Sequence, residues 1–278
     1  MRLIDFRYRP ATRESIDSVK FNPVYEIFCQ RTPFLSQPVV SMDEALAEIR
    51  AAGMVRAVVT GRDIESTYRS PSTNPSARAC VQAAPDLFAG FYGFDPMKGM
   101  KAVTGLREAV TSGDFCGASI DPAMAHLPLD HPRFYMLYTT CCDLDIPITV
   151  TTGLSPYMPD VVMDDCHPRH LDRVATDFPD LKLVVSHAGY PWVSETMAVA
   201  MRHDHVCLDF SAVEGMPGVR EALLTALAHP MLKDKILFSS ASPFNSLSNA
   251  LAFYRRLNLD EATMDRLMYA NAAAVLGL

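Results

Sequence analysis

LKLVVSHAGYPW, Leu181 to Trp192, runs from an apolar segment into a single histidine, His187, and then into a turn rich in glycine and proline. A short run of leucine and valine bounded by turn formers reads as a strand buried on both faces of a parallel sheet. His187 stands where that strand ends. In an α/β barrel, polar side chains at the C-terminal ends of strands are the ones that usually do chemistry.

Outward from this stretch, short runs rich in valine and isoleucine alternate with amphipathic segments. The expected strands are Arg2 to Tyr8, Val55 to Thr60, Phe88 to Gly93, Cys116 to Asp121, Ile146 to Thr151, Lys182 to His187, Val206 to Ser211 and Lys235 to Ser240. Helical patterns fall between them at Met42 to Ala52, Pro75 to Ala84, Lys101 to Thr111, Pro132 to Leu144, His167 to Phe178, Trp192 to His203, Val219 to Leu227 and Ser246 to Leu257. About eight βα units in 278 residues predict a (β/α)8 TIM barrel, with an extra helix over Asp260 to Leu276. Tyr8 to Val40 has no matching strand and reads as a long excursion after the first one, lying over the active face. No Gly/Ser-rich linker or charge block divides the chain, so residues 1–278 are expected to form one domain.

Composition narrows the partners. With 25 basic against 32 acidic residues, a formal charge of -7 and scattered basic positions, nucleic acid is not an expected partner. No apolar run reaches the roughly 18 residues needed to cross a bilayer, and the charged opening MRLIDFRYRP lacks a signal-peptide core, so neither membrane nor export is expected and the protein reads as cytoplasmic. Seven cysteines without paired spacing read as free thiols.

The order LIDFRYRP, HPRFYMLYTTCCDLDIPITVTTG, HLDRVATDFPDLKLVVSHAGYPW, HVCLDFSA, KILFSSASPF and YANAAAVLGL resembles the amidohydrolase superfamily. The resemblance is to its branch of amidohydrolase 2 and aminocarboxymuconate-semialdehyde decarboxylase-like proteins. It spans most of the chain, with Arg9 to Val40 and Arg62 to Asn74 the least family-like. It implies an amidohydrolase-like barrel whose members hold a divalent metal with His-x-His after strand one, a histidine after strand five, another after strand six and an aspartate after strand eight. Here those positions read Arg7-Tyr8-Arg9, Thr151-Thr152-Gly153, His187 and Ser239-Ser240-Ala241-Ser242-Pro243, and Ser119 stands where many relatives have lysine. One imidazole between two guanidiniums is a poor zinc site, so no metal and no cofactor are expected.

What remains suggests other chemistry. Arg7 and Arg9 alternate along one strand and share a face, as an anion clamp for a substrate carboxylate or as members of an internal ion-pair network with Asp5, Asp95, Asp121 or Asp209. His187 reads as a general acid or base with Asp209 orienting it, or as a packed remnant. Tyr92, Asp121, Thr151, Thr152, Trp192 and Ser240 are the other candidate substrate contacts. His167 and His170, three apart, suit a surface metal or simply a helix start. Together these residues predict a metal-independent enzyme acting on a small anionic carboxylate or lactone, by hydrolysis in preference to decarboxylation. The resemblance also implies a homodimer. The alternative is a non-catalytic barrel that binds a ligand or a partner protein.

Overall fold

The computed structural model describes residues 2–153 and 157–278. Eight parallel strands follow one another around the sheet in sequence order: β1 Leu3–Asp5, β2 Met54–Thr60, β3 Phe88–Gly93, β4 Gly117–Ile120, β5 Ile148–Thr151, β6 Leu183–Ser186, β7 Val206–Asp209 and β8 Ile236–Leu237. The last strand returns to the first. Phe6 N–H donates to the Phe238 carbonyl at 3.0 Å and Ala241 N–H to that of Arg7 at 2.9 Å, so the (β/α)8 barrel is nearly closed.

Strand alternation sorts the side chains into two cores. Leu183 and Val185, Ile148 and Val150, and Val206 and Leu208 point outward beneath the helices, in the large cluster that also holds Leu106, Leu137, Tyr138 and Leu223. Ile4, Phe6, Val58, Phe91, Val184, Cys207 and Leu237 fill the barrel interior. Phe6 meets Phe91 edge-on at 5.6 Å. Above this apolar plug the inward positions turn polar, with Thr149, Ser186 and Asp209 fully buried.

The C-terminal helix expected over Asp260 to Leu276 is present but interrupted, running Glu261–Asp265, a π-helical turn Arg266–Ala270 and Asn271–Leu276. It places Ala272 and Ala273 in the interior cluster, and Asn271 Nδ2 donates to the carbonyls of Lys233 and Ile236 at 3.0 and 2.9 Å. The excursion after β1 is more structured than its prolines suggested. It contains the helices Arg13–Lys20 and Glu26–Arg31 and two 3-10 turns, and with Ile64, Met124 and Phe244 it builds a separate apolar cluster. Cys116, expected within a strand, precedes β4 and is exposed. Among the described residues no helix is long and apolar enough to cross a membrane.

Candidate active site

The residues that follow the strands surround a cavity of about 430 Å³. Arg7, Thr151, Gly153, His187, Ala212 and Ala241 come from the ends of β1, β5, β6, β7 and β8. Tyr25 and Phe28 reach it from the excursion, and Phe244 packs against both, at 5.3 and 5.5 Å between ring centroids. The polar floor and the aromatic wall thus come from different parts of the chain.

Arg7 is buried, and among the described residues its charge meets no carboxylate directly. Nη1 donates to Ser186 Oγ at 3.0 Å and Nη2 to Thr151 Oγ1 at 3.2 Å, both neutral hydroxyls. Among the described residues it forms no ion pair. Burial pulls its pKa down, Asp209 opposes that pull, and the neighbouring charge of Arg62 adds to it. A buried guanidinium held only by hydroxyls retains strong attraction for an anion. Just below, Asp5 Oδ1 accepts the N–H groups of Arg7 and Ser240, each at 3.0 Å, and burial pushes its pKa up to about 6.

His187 sits in a left-handed turn with Ala188 and Gly189, at φ of 61°, 50° and 67°. Such a conformation is unfavourable for a residue with a side chain and persists only when its surroundings enforce it. Asp209 supplies the enforcement: its Oδ1 accepts the His187 N–H at 3.3 Å, the Ser211 N–H at 3.0 Å and the Ser211 hydroxyl at 2.6 Å. Gly153 leaves room for the ring, since a Cβ there would lie 2.2 Å from His187 Cβ.

The imidazole is held by a carbonyl. His187 Nδ1 lies 2.6 Å from the Ser211 oxygen, which can only accept, so Nδ1 carries the proton and Nε2 keeps its lone pair. Burial, followed by the charge of Arg7, lowers the His187 pKa to about 4. The ring is therefore neutral near pH 7, with Nε2 free to accept a proton.

The structure redistributes the other expected contacts. Asp209 stands behind His187, but on its backbone and on Ser211, while the Ser211 carbonyl holds the ring. Asp121 is engaged by Arg62, whose Nε and Nη2 donate to its two oxygens at 3.1 Å each, while Nη1 donates to the Tyr25 hydroxyl. Asp121 thus neutralises Arg62 rather than Arg7 or Arg9. Arg9 is tethered by its N–H to the Ser242 carbonyl at 3.0 Å and its side chain does not line the cavity. Burial, then Arg62, brings its pKa down to about 10.

Strand alternation turns two more candidates away from the cavity, and burial sets a third apart from it. Tyr92 follows the inward Phe91, so it turns out toward the helix Met100–Thr111 and packs edge-on against Phe115 at 5.6 Å. Thr152 follows the inward Thr151 and donates to the Ser186 carbonyl at 2.7 Å, away from the main cavity. Ser240 is fully buried below the floor. Trp192 packs on His167, 4.9 Å between centroids, and does not reach the cavity. His167 caps the helix Pro168–Asp177, its Nδ1 accepting the Arg169 N–H at 3.2 Å, and His170 pairs with Asp130 at 2.9 Å, so this group is a helix start.

Two charged cavity residues are not marked by the sequence. Arg62 directly follows β2 as Thr60-Gly61-Arg62, the strand-end position that signals function in barrels, but it opens the least family-like stretch. Glu214 lies in the loop after β7, where nothing in Val213-Glu214-Gly215 marks it.

The amidohydrolase family model matches residues 32–278. The chain belongs to the amidohydrolase family. Among solved structures, this amidohydrolase is similar to an uncharacterized TIM-barrel protein from Bordetella bronchiseptica, with a TM-score of 0.79 and 27% identity over 100% of this chain and 99% of that one. It is also similar to 5-carboxyvanillate decarboxylase from Sphingomonas paucimobilis (TM-score 0.71, 16% identity, 100% and 99% covered). A third is 2,6-dihydroxybenzoate decarboxylase from Rhizobium (0.70, 17%, 100% and 99%). At such identities the two decarboxylases share the fold alone. No curated protein matches the chain.

The divalent ion that the family pattern implies does not fit the donors present in this amidohydrolase. Where the strand ends meet, Arg7 fills the space between Thr151 and Ser186, and His187 offers one free nitrogen. Among the described residues no three His, Cys, Asp or Glu side chains are grouped to share an ion. A cation there would meet a guanidinium in place of a carboxylate.

Proposed function

We propose that this amidohydrolase is a metal-independent hydrolase of a small carboxylate that carries an aromatic or other flat apolar body and an ester or lactone bond. One observation carries this reading: Arg7, without a carboxylate partner, and His187, with Nε2 unprotonated, line the same aromatic-walled cavity. Arg7 binds the substrate carboxylate through its guanidinium fork, and Tyr25, Phe28 and Phe244 cover the apolar body. His187 Nε2 takes a proton from a water whose oxygen adds to the ester carbonyl carbon. The carbon–oxygen bond to the leaving group then breaks, giving a second carboxylate and an alcohol.

Decarboxylation is the second reading, favoured by the fold likeness to the two aromatic-acid decarboxylases. That reaction must end by protonating a carbanion, and a neutral imidazole with a bare Nε2 is poorly placed to do so. The test is an assay of wild type, Arg7→Gln and His187→Gln on aryl hydrogen succinates, lactone carboxylates and hydroxybenzoates, with and without a chelator. Ester or lactone cleavage that survives chelation and needs both residues supports the proposal. Carbon dioxide release alone, or turnover that stops on chelation, contradicts it.

A further inference from the structure

Glu214 stands on the cavity wall in the loop that follows β7, in the stretch Ala212 to Met216. The loop leaves Ser211 through Ala212 in the left-handed conformation, at φ 62°, which carries the chain back over the cavity. Ser211 is the residue that clamps the His187 ring, so the segment that carries the carboxyl also holds the base in place. Glu214 Oε1 is completely shielded from solvent and has no hydrogen-bond partner among the described residues. Without a hydrogen-bond donor on that oxygen the neutral carboxyl is favoured over the anion, and Glu214 as a whole is only partly buried and borders the cavity.

We propose that Glu214 is the proton donor to the leaving-group oxygen, acting in its neutral form on the same cavity as the base His187. This rests on the hydrolase reading above. The Glu214 O–H proton passes to the departing oxygen as the carbon–oxygen bond breaks, while the proton taken from water sits on His187 Nε2. Exchange with solvent then returns a proton to Glu214 and removes one from His187, so the cycle closes without a further reactant. The setting supports a neutral carboxyl: burial pushes the Glu214 pKa up to about 7, with the backbone N–H groups of Glu214 and Ala212 pulling against it and Asp209 on β7 adding to it. The other titratable groups around it are the buried Tyr254 hydroxyl, which has no hydrogen-bond partner among the described residues, and His187, Arg7, Arg62, Tyr25 and Tyr157 on the same cavity. None of the described residues donates a cationic salt bridge that would hold Glu214 ionised.

The experiment compares wild type, Glu214→Gln and Glu214→Asp on monoaryl succinates with phenol, 4-chlorophenol and 4-nitrophenol as leaving groups, across pH 5 to 9. The expected result is a loss in Glu214→Gln of roughly 100-fold or more for phenol, shrinking to a few-fold for 4-nitrophenol, which leaves without a proton. The wild type should also lose kcat/KM above pH 7, a limb that Glu214→Gln lacks, and Glu214→Asp should recover part of the phenol rate. A uniform loss for all three leaving groups overturns the proton-donor role and leaves the hydrolase reading standing. A wild type that cleaves none of the esters overturns both.

Discussion

The guanidinium of Arg7 and the imidazole of His187 line one cavity, and burial together with that guanidinium holds the imidazole neutral, with a pKa of about 4. Arg7→Gln keeps an amide able to reach Ser186 or Thr151 but removes the charge. The expected outcome is a rise of the His187 pKa toward its ordinary value, read from the imidazole proton shifts in an NMR pH titration. The same variant should raise KM more than it lowers kcat, since it removes the anion's partner.

His187→Gln should lower kcat/KM by roughly 10²–10⁴-fold, the usual contribution of a general base. In wild type the acid limb of the rate profile should fall near pH 4, where the ring takes its proton, and not near 6.5. A limb at 6.5 would mean that neither burial nor Arg7 governs the base.

The same shift has a consequence for stability, and its sign is fixed. A base with a depressed folded pKa is protonated first in the unfolded chain, so its contribution is complete above pH 6.5 and is lost as pH falls toward 4. Asp5 and Glu214, carboxyls with raised folded pKa values, act in the opposite direction, favouring the folded state as pH falls from about 7 toward 4. Total stability therefore mixes both. The difference between wild type and His187→Gln in urea unfolding isolates the imidazole, and it should move in favour of the variant as pH drops from 7 to 4.5.

Most of the barrel was legible because its signals are local and repeated. Lys182 to His187 reads as a strand from its apolar run, and β6 covers Leu183–Ser186. The site was less legible because inward and outward faces are decided by single steps of register. Thr151 and Thr152 look equivalent in sequence, yet one meets Arg7 and the other the Ser186 carbonyl. Tyr92 is a candidate contact by its place near the end of strand three, but Phe91 occupies the inward face. Arg62 and Asp121 lie 59 residues apart, and no local pattern announces a pairing between two strand ends.

That pair gives a stability prediction. The side chains of Arg62 and Asp121 are only 8% and 7% exposed, so Asp121→Ala leaves a buried guanidinium uncompensated. The expected cost is roughly 3–5 kcal/mol in denaturant unfolding. The double variant Arg62→Met with Asp121→Leu should recover much of it, because the penalty arises from the unpaired charge.

Gly153→Ala probes the seat of the base. The added Cβ would fall 2.2 Å from His187 Cβ, so the ring or its left-handed turn must move. Activity should fall with His187→Gln while the melting temperature drops by only a few degrees. A variant with unchanged turnover would show that the seat tolerates displacement.

The most direct test of the central claim is a crystal structure of the protein soaked with manganese and benzoate, read with anomalous scattering at the manganese edge. The expected result is the benzoate carboxylate on Arg7, its ring against Phe28 or Phe244, and no manganese peak at His187. A manganese ion bound by His187 Nε2, with the carboxylate on the metal instead of on Arg7, would contradict it.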